Sequence, residues 1–207
     1  METLNYFYLR ALEAFRKAGG TDKEFKWFVG VRLVWYPVYR NEIRLRLRLA
    51  EEIVKRSEGR ILDVGSGSGF LALELSRKGE VVGIEREEGL FEFLKSLEND
   101  RLRFLNIDFL KDDIEGKFDT IVFSYILHDF EPKPFLEKAL KLLEQDGKII
   151  IGDFDVNDLK NKIREFAKEN KLEITDEMTL GKAKTHGNVH DAFLMVLRLP
   201  LSSSFHR

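Results

Sequence analysis

Residues 61–70 read ILDVGSGSGF: a short apolar run, an acid at Asp63, then glycine at 65, 67 and 69. Glycines in that spacing let a backbone bend sharply and leave no side chain between it and a ligand. The acid narrows the choice of ligand. A pyrophosphate favours bare amides at a helix N-terminus and no carboxylate beside it, so Asp63 suits a group that brings positive charge. A dinucleotide fingerprint, G-x-G-x-x-G, also wants glycine or alanine at position 70, where Phe70 stands. Two further acids follow at strand-like ends, Glu85 in VVGIE and Asp108 in NIDF. An ionised carboxylate only accepts hydrogen bonds, which suits hydroxyl or amine donors. His128 in SYILHDF is a candidate general base.

These residues need a frame. Before residue 58 the pattern is helical: Leu4, Tyr8, Ala11, Phe15 and Ala18 share a face, and Gly19-Gly20 ends the helix. The stretch NEIRLRLRLAEEIVKRSEG alternates Arg and Leu only briefly. As a helix it gathers Ile43, Leu47, Ala50 and Val54 on one face, flanked by Leu49 and Ile53, with Gly59 as its stop. After residue 58, RILDV, EVVGIE, LRFLNI, FDTIVFS and KIIIGDF are β-rich apolar runs of the kind buried parallel strands show. Helical patterns lie between them, including PFLEKALKLLE and VNDLKNKIREFAKEN, whose Val156, Leu159, Ile163, Phe166 and Ala167 form one stripe. Five βα repeats predict a doubly wound sheet. LEITDEMTL and AFLMVLRLP, joined by GKAKTHGNVHD, add two strands that pair antiparallel at one edge. The expected fold is α/β: a mostly parallel, seven-stranded Rossmann-like sheet (58–207) with a small N-terminal helical cap (1–57).

The glycine turn resembles motif I of the class I S-adenosylmethionine-dependent methyltransferases, and later segments match that family in order and spacing over about residues 58–200. The ammonium and sulfonium of that cofactor supply the charge Asp63 calls for. The resemblance implies that motif I (Asp63, Gly65, Ser66, Gly67, Gly69) holds the cofactor and that Glu85 takes the ribose hydroxyls. It also implies that Arg86 lies beside the adenine, and that Asp108 lies near the adenine amino group with Phe109 alongside. FDTIVFSYILHDF resembles motif IV, which adds Ser124 to the cofactor contacts and puts Tyr125 and His128 where the methyl group points. LEQDGKIIIGDF resembles the turn into strand five.

Methyl transfer asks mainly for alignment and exclusion of water, with a base only if the acceptor must lose a proton. His128 either serves as that base or caps the following loop, and Tyr125 lines the acceptor pocket. The run SYIL replaces the Asn/Asp-Pro-Pro-aromatic run usual in amino methyltransferases of adenine or glutamine. The absence of cysteine excludes the pyrimidine C5 mechanism and disulfides. Asp129, Asp153 and Asp155 can be read as metal acids, but solvated loop acids are the blander reading, and no metal is expected. His186 and His190 in THGNVHD read as a surface turn. Ten of the 24 aromatic residues fall within residues 1–39, as either an acceptor pocket or simply a small core.

The basic cluster Arg40, Arg44, Arg46, Arg48, Lys55 and Arg56 is interrupted by Glu51 and Glu52 and reads as a solvated helix face. With 34 Lys+Arg against 36 Asp+Glu there is no basic excess for nucleic acid, so a small-molecule acceptor is favoured. The alternatives are an RNA or protein methyltransferase using helix 40–56, a non-catalytic protein binding the cofactor or its product, and an aminopropyl transferase. A 34% charged fraction with three Met resembles a chain adapted to heat. The N-terminus carries an early acid, and no apolar run reaches membrane length, so no signal peptide and a cytoplasmic location are expected.

Overall fold

The computed structural model describes residues 40–185 and 187–200, together with Glu13, Arg16, Gly19 and Thr21. The expected first helix falls outside them except at Glu13 and Arg16, which are helical, and Gly19, whose amide bonds Arg16 O at 3.0 Å. The apolar stretch 25–36 and the aromatic-rich segment lie outside the described residues.

Helix α1 (Arg40–Arg56) leads into β1 (Arg60–Val64), α2 (Phe70–Leu75), β2 (Glu80–Ile84), α3 (Glu88–Lys95) and β3 (Leu102–Leu105). Then come β4 (Phe118–Ser124), a 3-10 turn (Leu127–Asp129), α4 (Pro132–Leu142), β5 (Leu143–Phe154), α5 (Leu159–Glu169), β6 (Glu173–Thr185) and β7 (Asn188–Arg198). The seven strands form one sheet in the order β3-β2-β1-β4-β5-β7-β6. Strands β1 to β5 pair parallel, and β7 runs antiparallel to both β5 and β6. This is the mostly parallel seven-stranded sheet the sequence implies.

The apolar runs form central strands because both sheet faces are covered. Successive residues of β1 go to opposite cores: Ile61 joins α1, α2 and α3, while Leu62 joins α4 and α5. On α5 the stripe Leu159, Ile163, Phe166 and Ala167 is buried, as its spacing requires.

Three expectations change. The buried face of α1 is Leu45, Leu49, Ala50 and Ile53, with Leu47 and Val54 only half-buried. The sheet decides this, because a Cβ at Gly152 would lie 2.5 Å from Leu49 Cδ1 and one at Gly181 would lie 2.8 Å from Leu45 Cδ2. Bare backbone on β5 and β6 is thus the floor on which those two leucines rest. Second, no helix follows β3. Residues 106–117 form a turn in which Asp108 N–H bonds Asp112 Oδ2 at 2.7 Å. Third, GKAKTHGNVHD is largely strand, with β6 running to Thr185 and β7 starting at Asn188. Within it His190 pairs with Ala183, and its Nδ1 lies 3.0 Å from Asp155 O. His186 lies outside the described residues.

Candidate active site at the strand ends

The chain runs from β1 outward to β2 and β3, then returns to β4 on the other side of β1. The carboxyl ends of β1 and β4 therefore bound the crevice where open α/β sheets take ligands. A cavity of about 250 Å³ opens there, lined by Gly65, Glu85, Asp108, Phe109, Tyr125 and Asp129 among others.

Gly65, Gly67 and Gly69 all have positive φ (72°, 53° and 75°), so the turn demands glycine conformationally. They differ in what faces them. At Gly65 a Cβ would sit 2.4 Å from Ile126 Cδ1, so the ends of β1 and β4 can approach only over bare backbone. At Gly67 the nearest atom is 4.0 Å away, leaving open space. Gly69 makes room for the core, where a Cβ would meet Leu94 at 2.6 Å. Ser66 ties the turn down, its N–H bonding Ile84 O at 2.8 Å and its hydroxyl bonding Asp63 O at 3.2 Å.

Asp63 is 2% exposed and its Oδ2 has no hydrogen-bond partner. Burial pushes this carboxyl up to about 7; the Ser66 hydroxyl opposes the rise and the Glu85 charge adds to it. Glu85 spans the gap between β1 and β2. Its Oε2 accepts Gly67 N–H at 2.9 Å, its Oε1 accepts Glu87 N–H at 2.9 Å, and its carbonyl accepts Asn106 Nδ2 at 2.8 Å. Each carboxylate oxygen keeps a second acceptor position. Asp108 Oδ1 caps Leu110 N–H at 3.0 Å. Burial works against its charge, but the Leu110 N–H and Lys111 hold the carboxyl below its usual range.

Phe109 lines the cavity, but its ring is packed on Phe123 and Phe135. Arg86 is exposed, 5.6 Å from the Phe130 ring. Ser124 is half-buried at the end of β4, in register with Gly152, and is not one of the residues lining the cavity.

Tyr125 takes φ 55°, a left-handed conformation that strains a non-glycine backbone by about 1–3 kcal/mol. The strain turns its ring between Phe154 (4.7 Å between centroids) and the Arg46 guanidinium (4.4 Å above the ring). Arg46 is therefore half-buried at the site and departs from the solvated face expected for the basic cluster. Two other cations of that helix are also engaged with the fold: Arg48 donates to Leu180 O at 3.0 Å and Arg56 to Asp176 at 2.6 Å.

His128 is held by a residue the sequence pointed to only as a candidate metal acid. Asp153, fully buried at the end of β5, places Oδ1 2.6 Å from His128 Nδ1. Its Oδ2 accepts the amides of Ile126, Leu127 and His128 at 3.2, 2.8 and 3.2 Å. Both oxygens are thus committed to the 3-10 turn and the imidazole. The pairing fixes the neutral tautomer with the proton on Nδ1 and the lone pair on Nε2. Desolvation opposes protonation of His128, yet Asp153, with Asp129, raises its affinity for a proton above the ordinary value. The signal missed in the sequence is an acid ending the strand next to the one that carries the histidine.

The residues present fit S-adenosylmethionine. An unanswered buried carboxylate stands at β1, open space lies over Gly67, and acceptor carboxylates stand at β2 and after β3. Asp63 and Glu85 would hold its cationic and hydroxyl groups.

Comparison with known proteins agrees. The model of the methyltransferase domain family matches residues 55–193. A Bacillus cytotoxicus protein named as an uncharacterised methyltransferase is 33% identical over 109 residues, covering 51% of each chain. A Bacillus cereus methyltransferase is 32% identical over 127 residues, covering 58% of this chain and 60% of its own. The chain thus spans about half the length of the curated relatives it matches. The N-methyltransferase NodS of Bradyrhizobium japonicum, in complex with S-adenosylhomocysteine, superposes with a TM-score of 0.63 at 13% identity, covering 79% of this chain and 89% of that one. That likeness bears on the fold alone.

Proposed function

The chain belongs to the methyltransferase domain family, and from that premise we propose that it transfers the methyl group of S-adenosylmethionine to a small molecule bearing an O–H or N–H nucleophile. The observation that carries the acceptor chemistry is the His128–Asp153 pair at the carboxyl end of β4 and β5. The cofactor, when bound, supplies an electrophilic methyl on a sulfonium, and the good leaving group makes in-line alignment the main requirement.

The chain's own residues do the rest. Asp63 answers the positive charge, Glu85 fixes the ribose, and Asp108 and Arg86 border the adenine. Tyr125 walls the acceptor side. His128 Nε2 accepts the acceptor's proton as its nucleophile is methylated, and Asp153 holds the resulting imidazolium in place. In this reading α1 contributes the part of the segment before β1 that packs on the sheet, through Leu45 and Leu49.

A nucleic-acid acceptor has less support, because Arg46, Arg48 and Arg56 are engaged within the fold. Among the described residues no helix is long and apolar enough to cross a membrane.

The test is label transfer. Methyl-labelled S-adenosylmethionine is incubated with the protein and with separated small-molecule, RNA and protein fractions of a cell extract. Label is expected in the small-molecule fraction, and His128→Gln should lose about 100-fold or more of the rate while keeping its affinity for S-adenosylhomocysteine. Label in RNA or protein would overturn the acceptor class, and full activity of the variant would overturn the base.

A further inference from the structure

Arg86 and Phe130 line the same cavity from opposite banks. Arg86 closely follows the end of β2 and Phe130 follows the 3-10 turn after β4, and β1 lies between those strands. Strands two apart in a sheet are about 10 Å from each other, yet the Arg86 guanidinium carbon stands 5.6 Å from the centre of the Phe130 ring. The pair therefore bridges the crevice at the end of β1. So bridged, the cavity of about 250 Å³ lies below the range of about 300–1,000 Å³ usual for small-molecule sites.

The two ends of this bridge are not equally fixed. Phe130 rests on Phe135 at 5.3 Å between ring centres, and Phe135 stacks on Phe109 at 5.8 Å, so the ring is backed by the core. It still stays 39% exposed, which leaves aromatic surface for a ligand. Arg86 is exposed and has a second place for its charge, because the Asp108 carboxyl already feels it together with that of Lys111. Arg86, Ile107 and Asp108 also line a neighbouring open basin of about 570 Å³, with Glu87, Asn106 and Asp112. Arg86 thus stands on the boundary between two cavities, held to one side by an aromatic ring and drawn to the other by a carboxylate.

We propose that Arg86 and Phe130 form a latch on the cofactor crevice: Arg86 leaves the Phe130 ring and swings toward Asp108 to admit the adenine, and Phe130 then stacks on the base. The proposal rests on the reading of this crevice as the S-adenosylmethionine site. An exposed cation–π contact shifts an equilibrium only about two- to fivefold, so the latch opens readily. Stacking of a base on an aromatic ring is stronger, which gives the exchange its direction. Phe130 is thereby a positioning residue for the adenine plane, and the exchange involves no covalent step.

Association and dissociation of S-adenosylhomocysteine, followed by surface plasmon resonance, test it. This compound carries no net charge, so loss of a cation does not change its long-range attraction to the protein. Arg86→Gln should associate about two- to fivefold faster than wild type. Arg86→Lys should fall between the two, since an ammonium lacks the planar face that stacks on a ring. Phe130→Leu should also associate faster, and should dissociate about fivefold or more faster for want of the stacking surface. Joining Arg86→Gln to Phe130→Leu should add nothing to the association rate, because either change alone opens the latch. Thermal melting reports folding, and should Phe130→Leu not fold, the two arginine variants decide alone. Unchanged or slower association of Arg86→Gln, additive effects in the double variant, or unchanged dissociation of Phe130→Leu would overturn the latch while leaving the cofactor reading intact. Failure of the wild type to bind S-adenosylhomocysteine would instead overturn that reading, and the latch with it.

Discussion

Burial at the end of β1 leaves Asp63 Oδ2 without a hydrogen-bond partner and pushes the carboxyl up to about 7. An unfolded aspartate titrates near 4. Between those limits the folded chain keeps a proton that the unfolded chain has lost, so the stability of the apoprotein falls as pH rises through the window and levels off above it. Asp63→Asn keeps the shape and removes the charge. Its melting temperature relative to wild type should therefore climb between pH 4 and pH 7 and stay constant beyond, by the equivalent of a few kcal/mol. A difference independent of pH would contradict the burial argument. Asp153 shows the opposite way to bury an acid, with every bond it needs supplied by the chain. The sequence displays Asp63, Glu85 and His128 in motifs, but not which of them is answered. Asp153 sits 25 residues from His128, and only the alignment of Ser124 with Gly152 across β4 and β5 brings the two together.

Helix α1 carries apolar residues on more than one possible face, which is why its spacing alone misplaces the core side. Leu47 is central on a wheel that starts from Ile43, whereas Leu49 is 1% exposed and lies against Gly152. The decisive information is a glycine on β5, about a hundred residues away, which no local pattern contains. Leu49→Ala should cost about 2–5 kcal/mol in urea denaturation and Leu47→Ala clearly less; equal losses would contradict the packing described. The strands are plainer in the sequence. RILDV and FDTIVFS match β1 and β4 at both ends, because strands buried on both faces are continuous apolar runs bounded by polar residues. The β6–β7 hairpin is harder to read, since Gly181 looks like a loop residue while β6 continues past it to Thr185, and the turn comes only at Gly187. The segment after β3 differs from expectation for a related reason: βα alternation predicts a helix there, but Asp108 and Asp112 close a polar turn instead.

At the scale of the whole molecule, two cores clamp a sheet whose order reverses between β1 and β4, and every candidate residue lies at or near that reversal. The glycine turn and the acids after β2 and β3 show in motif spacing, because each depends on a single strand end. The contacts of Arg46 with Tyr125 and of Asp153 with His128 are not legible there, because they join distant segments of α1, β4 and β5. The central claim is that this crevice holds S-adenosylmethionine. Calorimetric titration with S-adenosylmethionine, S-adenosylhomocysteine and NAD, on wild type and on Glu85→Ala, tests it most directly. The account predicts micromolar binding of both sulfur compounds, none of NAD, and a loss of about tenfold or more in the variant as the ribose acceptors disappear. Absence of binding of either sulfur compound to the wild type would contradict it.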